Sequence, residues 1–190
     1  MLTLLYLFRT ISGLILLAFL LRVMLQATRA DFYNPISQFI VRVTGPLVNP
    51  LRRILPSSRA FDVPSFTALV IVELVVTWLL VALYGGGIPI TQLLWLVTFR
   101  LIALTIWTYT VCIIVYALLS FVAQAHYSPI AMLLGRIVEP ILRPARRILP
   151  SLGGIDFSPL LVLILLQAIS VAVSTSIAPL FIPGLTGLIR

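Results

Sequence analysis

Two stretches of this chain repeat one another. Aligned without a gap, YNPISQFIVRVTGPLVNPLRRILP (residues 33–56) and YSPIAMLLGRIVEPILRPARRILP (residues 127–150) agree at eleven of 24 positions, 94 residues apart. An offset that regular marks two copies of one structural unit. Apolar runs flank each copy: residues 4–26 and 64–84 bracket the first, residues 99–123 and 159–180 the second. A helix needs about 20 apolar residues to cross the hydrocarbon core. Lipid offers backbone N–H and C=O groups no water, so unbroken runs of this length are helices, not strands.

The expected fold is therefore an all-α membrane protein with four transmembrane helices. They form two parallel repeats, residues 1–86 and 87–190, each reading helix, broken amphipathic interfacial helix, helix. Two crossings return the chain to its starting side, so the repeats run parallel and a twofold-like axis along the membrane normal is expected. The uncharged YGGGIPITQ between the second and third runs reads as a turn, with Trp95 nearby as an interface anchor.

Charge supplies the orientation. Only 9% of residues are charged, against about a quarter in a soluble domain, and all thirteen basic residues are arginines facing five acids. Nine of the thirteen lie in two segments: Arg29, Arg42, Arg52, Arg53 and Arg59, then Arg136, Arg143, Arg146 and Arg147. The positive-inside rule places both basic segments on the cytoplasmic face and both termini outside. Clustering between membrane runs makes the positive charge a matter of topology and anionic headgroups, and no direct nucleic-acid binding is expected. The first run has no side-chain charge in its first eight residues and a poor cleavage site at Thr28-Arg29-Ala30, so it reads as a retained membrane helix.

The two basic phrases, residues 34–56 and 128–150, carry their own signals. Ile36, Phe39, Ile40, Val43 and Leu47 recur at helical spacing, with Gln38, Arg42, Gly45 and Asn49 opposite. Ile130, Leu133, Leu134, Ile137 and Ile141 repeat the apolar stripe. Pro46 and Pro50, and their counterparts Pro140 and Pro144, lack the N–H an inner helical turn needs, so each phrase is expected to be two short helices with a break. Asp62 and Asp156 stand just before the following spans, where a carboxylate can cap the helix. A salt bridge from each aspartate to the arginine pair of its own repeat would fold the loop onto its hairpin.

Inside the spans, Glu73 is the one acid, and such residues usually face a partner or water. Arg9, Arg22 and Arg100 are the candidate cations, with Gln167 at the repeat-matched position. Ser170, Ser174 and Ala178, beside Ala168, Ala172 and Ser176, allow close helix approach on the fourth span. Cys112 and His126 are each solitary, so no disulfide, metal set or bis-histidine haem ligation can be assembled from them. Nothing groups as a catalytic triad, P-loop or paired carboxylates. No enzymatic activity, metal or cofactor is expected.

At these residues the sequence resembles the YggT family of small membrane proteins. The repeat motif is carried by Pro46, Pro50, Arg52, Arg53, Pro56 and Asp62, then by Pro140, Pro144, Arg146, Arg147, Pro150, Asp156, Ser158 and Pro159. The first copy reads DVPS where the second reads DFSP. The resemblance implies a bacterial inner-membrane protein linked to osmotic tolerance. It also implies kinship with relatives tied to nucleoid or envelope organisation and, in one plastid branch, to cytochrome b haem attachment. The expected function is a non-enzymatic organising or assembly factor, with Arg52, Arg53, Arg146 and Arg147 engaging anionic lipid or a membrane complex, and further copies of the chain as another candidate partner. The alternative is an ion channel or transport accessory in osmotic stress, using an oligomeric pathway near Glu73.

Overall fold

The computed structural model describes residues 2–30, 33–56, 62–83, 87–120, 128–148 and 156–177. Among them are six helices and no strand: α1 (Leu2–Ala27), α2 (Pro35–Ile54), α3 (Val63–Leu83), α4 (Ile90–Ser120), α5 (Pro129–Ile148) and α6 (Ser158–Ile177). Four of them, α1, α3, α4 and α6, are long and apolar enough to cross a membrane. Large apolar side chains such as Leu4, Trp78, Trp107 and Ile164 point outward from these four, where acyl chains would meet them. Pro150, Arg59, His126 and Ala178 lie outside the described residues.

Each half packs in the same pattern. α1, α2 and α3 contact one another pairwise, as do α4, α5 and α6, and α3 joins α4 between the halves. Lighter contacts run from α1 to α4 and α5. The core is built from Leu25, Leu80, Leu96, Ile113, Ile137 and Leu142, all fully buried. α1 ends where Arg29 takes a left-handed φ of 50°, and the amide of Ala30 returns to the carbonyl of Leu25 at 2.9 Å, a helix-closing turn.

The break expected at the prolines does not occur: α2 and α5 are each continuous over 20 residues, with Pro46, Pro50, Pro140 and Pro144 inside them. The spacing explains why. Prolines four apart put both missing N–H groups on one side of the helix, and all four prolines are exposed. The carbonyls they leave without partners belong to residues 42 and 46, and to 136 and 140, also exposed. Water or lipid headgroups can satisfy them, so the usual penalty for a proline inside a helix is reduced.

The apolar stripe of α2 also divides. Ser37, Ile40, Thr44, Gly45 and Val48 are buried against the bundle, whereas Phe39, Val43 and Leu47 are exposed. The helix thus has three faces: one toward the protein, one apolar and outward, and one polar with Gln38, Arg42, Asn49 and Arg53. Gly45, expected on the polar side, is buried because it sits one turn beyond Val41 on the face that α1 approaches. α4 starts at Ile90, nine residues before the apolar run at 99. Trp95 is therefore helical and stacks on Phe99, ring centroids 5.9 Å apart.

Candidate functional site

Three clusters of charged and polar side chains stand out among the described residues. The first lies where α1, α2 and α3 meet. Arg52, in the last turn of α2, donates from Nη2 to Asp62 Oδ2 at 2.8 Å, and the Ser65 hydroxyl donates to the same oxygen at 2.5 Å. The Asp62 side chain is fully buried, and its Oδ1 meets no donor among the described residues. Asp62 also begins α3, its carbonyl accepting from the amide of Phe66 at 3.0 Å. The carboxylate thus engages the serine hydroxyl of the first turn of α3.

Arg22 completes this cluster from α1. It is 3% exposed, and its Nη1 donates to Thr44 Oγ1 at 2.7 Å and to the Val41 carbonyl at 3.2 Å. The Thr44 hydroxyl in turn donates to the Ile40 carbonyl at 2.6 Å. A long cation inside the bundle is tolerable because three polar oxygens on α2 receive the chain of donors. Arg22 holds α2 against α1 and does not reach Glu73.

The second cluster is the repeat-matched one. Arg146 donates from Nε to Asp156 Oδ2 at 2.9 Å and from Nη1 to Glu139 Oε2 at 2.8 Å. Asp156 Oδ1 accepts from the Ser158 hydroxyl at 2.5 Å and the Ser158 amide at 2.9 Å. Partial burial works against the Asp156 charge, yet the two Ser158 donors and the Arg146 guanidinium outweigh it and hold the carboxyl below its ordinary value. Arg146 is pushed upward: burial opposes this, but Asp156, the Tyr116 hydroxyl and Glu139 prevail. Tyr116 stands 94 residues after Arg22, and its ring lies against Gly135, the counterpart of Val41, where an added Cβ would come within 3.4 Å of Cε2. A cation clamps α2 in one repeat and an aromatic ring covers α5 in the other.

The third cluster sits between the repeats. Glu73 of α3 is 1% exposed; its Oε1 accepts from Arg100 Nε of α4 and, at 2.9 Å, from the Thr77 hydroxyl one turn along. Of the three arginines within reach in sequence terms, Arg100 is the partner found. Gln167 is not part of a matching cluster; it is exposed on α6. Arg9 lines a cavity of about 460 Å³ between α1 and α4 with Tyr6, Gly13 and Trp107.

The ends of α2 and α5 also meet across the halves. Asn34 caps α2 by accepting the Ile36 amide at 3.0 Å, and its Nδ2 donates to the Pro129 carbonyl at 2.7 Å. Ser128, its counterpart, caps α5 by accepting the Ala131 amide at 3.1 Å. A family model described as CCB3/YggT matches residues 1–84 and 86–177.

The chain belongs to the CCB3/YggT family.

Its relatives agree over nearly their full lengths. An uncharacterized protein of Pseudomonas aeruginosa is 40% identical over 176 residues, 91% of this chain and 89% of the relative. The uncharacterized protein YggT of Escherichia coli K12 is 35% identical, with 96% and 97% covered. A protein of Vibrio alginolyticus, encoded in the proC 3' region, is 37% identical, with 93% and 96% covered. No solved structure matches.

Within the YggT repeat as this chain carries it, the arginine pair divides. The first member, Arg52 or Arg146, pairs with the aspartate while staying 44% or 35% exposed; the second, Arg53 or Arg147, is exposed. Sequence reasoning had no ground for separating them, since adjacent residues differ by 100° on a helix and only packing says which side is inside. It also missed Ser65, Thr44, Thr77, Glu139 and Tyr116. The serine signal was present: the swap from DVPS to DFSP moves the hydroxyl by one place, and both aspartates still receive it at 2.5 Å. No described group of histidine, cysteine, aspartate or glutamate could hold a metal ion, and Cys112 is buried within α4.

Proposed function

We propose that this protein is a non-enzymatic organising or assembly factor of the inner membrane that gathers anionic lipid headgroups along α2 and α5 and thereby supports osmotic tolerance. One observation carries the reading. With Arg52 and Arg146 committed to carboxylates, Arg42 and Arg53 on α2 and Arg136, Arg143 and Arg147 on α5 remain exposed along the polar sides of the two helices. On α2 an outward apolar face with Phe39, Val43 and Leu47 lies beside that polar side. This is the arrangement of a helix lying at an interface, apolar face toward acyl chains and cations toward phosphates. Each arginine near an anionic leaflet contributes about 1 kcal/mol, and the attraction weakens with salt.

The test replaces Arg42, Arg53, Arg136, Arg143 and Arg147 with glutamine in the full chain and measures phosphatidylglycerol retained by the purified protein from mixed vesicles. Loss of that enrichment with normal insertion supports the reading, and unchanged enrichment rejects it. If lipid retention is unchanged while a copurifying membrane complex is lost, these exposed arginines serve a protein partner instead. The competing route for ions past Glu73 draws less support, because Arg100 and Thr77 occupy its Oε1 and the side chain is buried.

A further inference from the structure

The two halves share a sequence but not an environment. On α3, the side chains turned toward α4 are buried: Glu73 and Leu80 are 1% exposed and Thr77 0%. Their counterparts 94 residues on are Gln167, Ser174 and Val171 of α6. Gln167 and Ser174 are exposed, and Val171 is 53% exposed. The other side of that contact repeats the contrast. Arg100 and Val97 of α4 face inward, whereas their counterparts Tyr6 and Thr3 of α1 are exposed, Tyr6 by 70%. Each half thus carries an exit face on its last helix and an entry face on its first. Among the described residues, the exit face and entry face that pack together are those of α3 and α4.

We infer that a second copy of this chain covers the two faces left over, α6 of one copy packing on α1 of the other as α3 packs on α4. The occupant follows from the repeat itself: the surface that fits the exit face of one half is the entry face of the other, and α1 is the remaining entry face. The chemistry of these two faces agrees. Gln167 is a polar group within an apolar span with its side facing outward, and an amide exposed to hydrocarbon lacks a hydrogen-bonding partner. Tyr6, at the position matching Arg100, offers a hydroxyl. Ala168 and Ala172, also exposed, allow a neighbouring helix to approach closely.

The change from an ion pair to neutral groups has a physical reason. α3 and α4 are joined by a short connection and enter the membrane as one hairpin, so Glu73 and Arg100 neutralise each other as they insert. α6 and the α1 of another copy must each reside in lipid before meeting, and a lone charge there is costly. A glutamine and a tyrosine can wait in the bilayer. When two copies pair so that each α6 meets the other's α1, both contacts form at once and the assembly closes.

This inference does not rest on lipid binding by the arginines, and its test reads protein contact alone. Two differently tagged chains, both carrying Cys112→Ser, are coexpressed, one with Tyr6→Cys and the other with Gln167→Cys, and their membranes are treated with a short bifunctional methanethiosulfonate reagent. The expected product is a covalent dimer bearing both tags. A single chain carrying both substitutions should stop at dimer. A third pair, Tyr6→Cys with Ile71→Cys, places the second thiol on an exposed position of α3 and should give none. Absence of the mixed dimer in chains that insert normally overturns the inference, as does equal cross-linking from Ile71→Cys. A ladder of higher oligomers from the doubly substituted chain overturns the closed pair.

Discussion

Arg100 of α4 donates through Nε to Glu73 of α3, so the one acid within a membrane span is neutralised by a cation from the other repeat. The Thr77 hydroxyl shares the same carboxylate oxygen. The pair ties the two halves together at the level where neither charge could stand alone. Removing one partner of a buried pair costs about 3–5 kcal/mol because it strands the other.

Arg100→Gln is therefore expected to lower thermal stability in detergent by an amount in that range and to reduce the quantity of protein in membranes. Glu73→Gln should cost less, since the remaining arginine is 13% exposed and its long side chain can extend toward the interface. The double variant should recover much of the loss. Melting curves of the three variants decide this, and equal costs for both single changes would contradict it.

Arg22 clamps α2 to α1 through Thr44 and the Val41 carbonyl. Hydrogen bonds to a charged group contribute about 1.5–3 kcal/mol, and here they are concentrated on one helix. Arg22→Leu is expected to lower amide-exchange protection across α2 while α5, whose counterpart contact is the Tyr116 ring, keeps its own. Hydrogen exchange followed by mass spectrometry compares the two helices directly. Loss of protection in both would show that Arg22 acts on the whole bundle.

The Asp156 cluster should respond to acid. Its folded-state carboxyl is held below the ordinary value of 3.8 by Ser158 and Arg146, against the effect of burial. A depressed carboxyl stabilises the fold fully above the unfolded value, and that contribution disappears as pH falls through the folded value. The α5–α6 contact is thus expected to be unchanged near neutrality and to loosen below about pH 4. With the side chains of Asp156 and Arg146 at 39% and 35% exposure, the effect is small, at most about 1 kcal/mol. Stability measured against pH should lose this acid-dependent component in Asp156→Asn, and an identical profile in that variant would refute the assignment.

Much of the architecture was legible because membrane spans and repeats leave strong, additive signals. Four apolar runs, the 94-residue offset and the aspartate–arginine ties of Arg52 to Asp62 and Arg146 to Asp156 all have counterparts in the structure. The choice of Arg100 over Arg9 and Arg22 was not legible, because arginine side chains reach far and only helix packing orders three of them. Nor was the split of the α2 stripe. Ile40 and Phe39 are adjacent in sequence and equally apolar, yet one meets the bundle and the other faces out, since lipid and protein interior select the same side chains.

The prolines were misjudged for a different reason: their cost was assigned per residue, when it depends on which side of the helix loses its hydrogen bonds. Pro46 and Pro50 open the exposed side of α2, where residues 42 and 46 can turn their carbonyls to water or headgroups. Replacing both with alanine restores two backbone donors without changing the buried face of Ser37, Ile40, Thr44 and Val48. Because alanine is favoured over proline inside a helix by about 3 kcal/mol at most, the double variant should be at least as stable as the parent, with α2 amides exchanging more slowly. A broken segment would behave differently, since alanines would straighten it and pull Arg52 away from Asp62. A drop in melting temperature together with faster exchange at α3's first turn would therefore speak for a bend that the continuous helix does not have.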